Sequence, residues 1–121
     1  MLINGVELED LDFMDADVAE RYEFACENVV KDMAEISDKK NLRNSEAIRL
    51  ECESVFKFFN TVFGEGTDKK VFGDKVNLMT CIEAFEEVKD YQSAKEKELS
   101  EYASKLKSKY SPNRAQRRAS K

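Results

Sequence analysis

Apolar residues recur at alternating steps of three and four through most of this chain, and that period constrains its fold more than any other feature. Val18, Tyr22, Ala25, Val29, Met33 and Ile36 make one such stripe, which places them along one face of an α-helix. Ile48, Cys52, Val55, Phe59 and Val62 make a second, widened by Phe56, Phe58 and Phe63. A third runs through Leu78, Cys81 or Ile82, Phe85 and Val88. With only four Gly and a single Pro, Pro112, the chain lacks the breakers that an all-β fold needs at each turn. The expected fold is therefore all-α, a small bundle of three main helices, and 121 residues suffice for one domain with a core of its own.

The punctuation between the stripes sets the boundaries. Leu2 to Leu8 alternates apolar and polar residues around Asn4-Gly5, a strong hairpin-turn signal, so residues 1–14 are read as a short N-terminal β-hairpin. That hairpin could lie as a flap over the helices or pair with a strand of a second copy. Residues 15–110 form the helical domain. Asp15 or Asp17 caps the first helix, which ends near Ser37, and Asn44 or Ser45 caps the second. Gly64 stops the second helix, a short turn follows from Lys69 to Phe72, Gly73 halts it, and Asn77 caps the third.

Beyond Tyr91 the pattern thins. Leu99, Tyr102, Leu106 and Tyr110 keep helical spacing among Lys and Glu residues, which suits either a protruding end of the third helix or a separate helix laid on the body. Ser111-Pro112 ends it, and residues 111–121, with nothing apolar larger than alanine, are expected to be a flexible basic tail.

Four phenylalanines within eight residues, Phe56 to Phe63, are more than one narrow helical seam requires. Two readings stand open: a central helix surrounded on all sides, or an aromatic groove of Phe56, Phe59 and Phe63, with Phe85 across the bundle, that receives a partner's apolar segment.

Chemistry is mostly excluded by what is missing. The chain contains no histidine, which removes Ser-His and Cys-His nucleophile pairs, histidine acid–base catalysis and the usual histidine metal sites. Gly64-Glu65-Gly66 lacks the last glycine and the preceding strand of a dinucleotide fingerprint, and no Gly-Lys-Ser/Thr ending provides a phosphate loop. Asp10, Asp12, Asp15 and Asp17 do not match a calcium loop, since Ala19, Glu20 and Cys26 stand where ligand, glycine and glutamate belong. The pairs Glu86-Glu87 and Glu51/Glu53 have no matching second set on a partner helix. Cys26, Cys52 and Cys81 are far apart and form no C-x-x-C pair, so buried free thiols are expected in place of a disulfide framework or zinc site. The protein is read as a non-enzyme without metal or cofactor.

Charge is distributed unevenly. From Met1 to Asn60 seven cations face fifteen acids, a net −8, whereas thirteen cations face ten acids beyond, a net +3. The last acid is Glu101, so the molecule reads as an acidic body with a basic end. Arg114, Arg117 and Arg118 offer guanidinium forks for phosphate or carboxylate. No aromatic accompanies them, and the acidic body repels a nucleic-acid backbone, which favours a protein partner over nucleic acid. No stretch approaches ~20 consecutive apolar residues and Met1 to Asp10 lacks the blocks of a signal peptide, so no membrane span and a cytoplasmic location are expected.

Two stretches carry a resemblance. Phe63-Gly64-Glu65-Gly66-Thr67, running through Lys75-Val76-Asn77-Leu78 into Glu83-Ala84-Phe85-Glu86-Glu87, and the terminal Asn113-Arg114-Ala115-Gln116-Arg117-Arg118 resemble small proteins from the tail modules of long-tailed phages and prophages of Gram-positive bacteria. The closest functional class is the tail assembly chaperone. It covers about a third of the chain, and its motifs are structural. It implies a small acidic helical protein that coats the tape-measure protein before tail-tube subunits polymerise, works in the cytoplasm of the bacterial host, and is absent from the mature virion. In that family a frameshift often yields a longer second product. Tape-measure or tail-tube protein is then the expected partner, with self-association left open. A small nucleic-acid-binding phage regulator acting through the basic tail, or a structural virion component, is the alternative.

Overall fold

The computed structural model describes residues 1–110. It begins with an antiparallel hairpin, β1 (Leu2–Ile3) and β2 (Val6–Glu7), with Leu2 opposite Glu7 and Ile3 opposite Val6. The turn residues Asn4 and Gly5 both take left-handed backbone, at φ 51° and 72°, the pairing whose twist matches that of the two strands. The hairpin lies on the helices of its own chain. Ile3 and Leu8 are buried in the common core, the Asn4 side-chain amide donates to the Val71 carbonyl at 2.9 Å, and the Leu2 amide donates to the Tyr91 hydroxyl at 3.2 Å.

Four helices follow: α1 (Ala16–Asp38), α2 (Asn44–Phe63), α3 (Thr67–Phe72) and α4 (Leu78–Tyr110). Of the two expected caps for α1, Asp15 serves, its carboxylate accepting from the Val18 amide at 3.1 Å. Asn77 caps α4 as expected, accepting from the Thr80 amide at 3.0 Å. The cap expected at Asn44 or Ser45 is not formed. Asn44 is already helical, and Arg43 takes the extended cap position without a side-chain bond, leaving only its carbonyl to accept from Ala47. Gly64 at φ 112° stops α2, and Gly73 at φ 63° stops α3. At the end of α2 the Arg21 guanidinium donates to the Val62 carbonyl at 3.2 Å, placing a cation at a helix C-terminus.

α2 is the central element, packed against α1, α3 and α4. Its phenylalanines fill the space between these neighbours. Phe58 meets Tyr22 of α1 and Phe85 of α4 edge to face, while Phe59 packs against Phe72 of α3 and stacks on Phe63. Phe56 also meets Phe72, and Phe13 meets Tyr22 edge to face. The surplus of aromatic residues thus serves a helix with neighbours on several sides.

α4 resolves the choice left open beyond Tyr91, since it is one continuous helix of 33 residues, about 50 Å long. Its first part is anchored by Cys81, Ala84 and Val88, all fully buried. From Ser93 to Lys109 every residue is exposed, so the second part projects from the body. No helix among the described residues is long and apolar enough to cross a membrane.

Candidate functional site

The phenylalanines expected to line a single groove do not come together on the surface. Phe59 is 0% exposed and belongs to the core, so it cannot touch a partner. Phe63 and Phe85 are half-buried against that core, Phe63 by stacking on Phe59 and Phe85 by meeting Phe58, with the Lys89 ammonium 5.6 Å above the Phe85 ring. The physical reason is the central position of α2: side chains on both flanks of its stripe meet a neighbouring helix before they meet solvent.

Of the four, Phe56 lines an open depression. It lies between α1 and α2, has a volume of about 440 Å³, and sets Phe56, Ile36 and Leu50 as its apolar surface. Asp32, Glu35, Glu53 and Asp68 stand around it against two cations, Lys39 and Lys57. One wall is fixed. The buried Ser54 hydroxyl donates to Asp32 Oδ2 at 2.8 Å, and Lys57 Nζ lies 3.4 Å from the same oxygen. Asn60 accepts from the Asp68 amide at 3.0 Å, tying the end of the groove to the start of α3. A second, more polar depression shares Asp32, Glu35, Ser54, Lys57 and Asn60 and extends the concave strip toward Asn28 and Thr61. The sequence carried a signal for this place, since Ile36 and Phe56 stood in the helical stripes, but nothing in it showed that a depression lies between α1 and α2 there.

The arrangement suits recognition by shape and charge. Among the described residues no group of His, Cys, Asp and Glu is placed to hold a metal ion, and every buried side-chain nitrogen and oxygen has a hydrogen-bond partner. Of the three thiols expected to be buried, Cys52 and Cys81 are, and Cys26 is half-buried on α1. Burial pushes Cys81 up from 9.0 to about 12, helped by a hydrogen bond with Cys52, and burial raises Cys26 and Cys52 as well. All three are free, and none is activated as a nucleophile. Arg114, Arg117 and Arg118, like the expected flexible tail, lie outside the described residues.

The family model that matches the chain, over residues 4–121, is DUF6673, described as a family of unknown function. That match takes in nearly the whole sequence, and the protein belongs to this family. No curated protein and no solved structure matches the chain.

Proposed function

We propose that this DUF6673 protein is a non-enzymatic binding protein of phage tail assembly, a chaperone that covers an apolar helical segment of the tape-measure protein. The observation that carries the reading is the α1–α2 groove, an apolar strip of Ile36, Leu50 and Phe56 bordered by four carboxylates and two lysines. Such a surface suits the helix-in-groove mode, in which residues one turn apart on the partner enter the apolar strip while its flanking cations meet the acidic border. The net −8 of the first sixty residues extends that preference over the body. The likeness of Phe63 to Glu87 and of Asn113 to Arg118 to tail-module proteins supplies the biological setting, the cytoplasm of the bacterial host before the virion is complete.

A tape measure is a very long helical chain, so many modest contacts along it give reversible coverage through effective concentration. Purified tape-measure fragments are expected to stay soluble when mixed with this protein and to precipitate without it. Glu35→Lys with Glu53→Lys, two changes at exposed positions of the groove, should weaken that protection while leaving the helical circular dichroism spectrum unchanged. Fragments equally soluble with and without the protein would sink the proposal.

A further inference from the structure

The projecting part of α4 carries an apolar stripe with no neighbour among the described residues. Cys81, Ala84 and Val88, which bury one face of the helix against the body, are followed at helical spacing on that same face by Leu99, Tyr102 and Leu106. Those three are 51%, 61% and 39% exposed. A helix face that is core in its first half is therefore bare in its second. The seam has the 3-4 spacing of a coiled coil, with Leu99 and Leu106 at one core position and Tyr102 at the other.

From this face we infer that two copies of the chain pair antiparallel through α4 beyond Tyr91, the tip of each helix lying at the root of the other. Charge selects this occupant and this direction. Beside the seam, on one side, stand Glu98 and, one heptad later, Lys105. In an antiparallel pair these flanking positions face their own kind, so Glu98 meets the partner's Lys105 and Lys105 meets the partner's Glu98. In a parallel pair they would face the Ala103 and Tyr110 positions, leaving Glu98 with only Lys95 of its own helix, 3.4 Å away, and Lys105 with no acid across the seam. The register that joins those charges sets Leu99 opposite the partner's Tyr102 and Lys95 opposite the partner's Leu106, the lysine stem covering the leucine while Gln92 closes the end of the seam, and it overlaps the helices from Tyr91 to Tyr110.

The root has a place for the tip. Between α4 and the segment that follows the hairpin lies a depression of about 630 Å³, lined by Leu11, Phe13, Met14 and Tyr91. Asp10, Asp12 and Glu98 stand around it against Lys95 and the Met1 ammonium, three acids to two cations and so a net −1, opposite in sign to Lys105 on the tip. The two-fold arrangement makes each contact twice and closes on itself, so a dimer and no higher species results. It uses none of the residues that line the α1–α2 groove, and it stands independently of what that groove binds.

The test is sedimentation equilibrium of the full chain across a wide concentration range. A monomer–dimer equilibrium is expected, weakened by high salt. Glu98→Lys and Lys105→Glu, each placing like charges together, should weaken it about tenfold, and the two combined should restore it. Both positions are exposed, and an unchanged thermal melt of the monomer confirms that the body is intact. A chain that stays monomeric overturns the inference. So does a trimer, a double variant no better than the singles, or a monomer whose Leu99–Leu106 face is covered only by an added tape-measure peptide.

Discussion

Phe58 shows at the scale of one residue how this core is held. It is 1% exposed and touches Tyr22, Phe59 and Phe85, rings from three helices. Phe58→Ala removes a buried ring packed against three others, and should cost about 3–5 kcal/mol. Phe24, 57% exposed on the outer face of α1, makes the control. Phe24→Ala should move stability by less than about 0.5 kcal/mol. Urea titrations of the two variants check both numbers, and similar losses would mean that the aromatic network is not where the stability lies.

Among the elements, the caps differ in a way that substitutions can read. Asp15 and Asn77 each accept a backbone amide at the first turn of a helix, so Asp15→Ala and Asn77→Ala should each lose about 1 kcal/mol. Arg43 holds the corresponding place before α2 without a side-chain bond, and Arg43→Ala should change stability by less than about 0.5 kcal/mol. Thermal melts distinguish these outcomes, and a costly Arg43→Ala would contradict the cap assignment. The persistence of α4 past the body has an element-scale reason too. Its first turns are nucleated and docked, so each further residue adds a hydrogen bond without meeting the nucleation cost again. Lys, Glu, Ala and Leu, all good helix formers, carry it onward. The sequence left a continuous or a broken helix equally open because the choice depends on whether the body offers a surface on which to fold back.

At the scale of the whole molecule, buried titratable groups on three helices link stability to alkaline pH. Cys26, Cys52, Cys81 and Tyr22 all lose protons less readily when folded, chiefly because burial disfavours the charged form. The unfolded chain releases these protons at the ordinary values of 9.0 for a thiol and 10.0 for a phenol. Below pH 9 both states hold them and the contribution is complete. As pH rises from about 9 toward the folded value of about 12 for Cys81, the unfolded state holds fewer protons and stability falls. The urea midpoint should therefore be insensitive to these groups from pH 7 to 8.5 and decline steadily above 9. Cys81→Ala should make that decline shallower. A midpoint as high at pH 10.5 as at pH 8 would contradict the burial of these side chains.

The sequence by itself determined the elements, because helical period, breakers and turn chemistry are local. The three stripes, the Asn4-Gly5 turn, the stops at Gly64 and Gly73 and the cap at Asn77 all stand where local rules put them. It also told that α2 was too aromatic for one seam. Which neighbours use those rings was beyond it, since residues far apart in the chain decide it. Only the tertiary structure placed Phe72, Phe85 and Tyr22 around α2, withdrew Phe59 from the surface, and left Phe56 with Ile36 and Leu50 in the open groove. The stripe on α4 obeys the same division. Its period is written in Leu99, Tyr102 and Leu106, but burial is a property of what lies opposite, and there the body ends before the apolar face does.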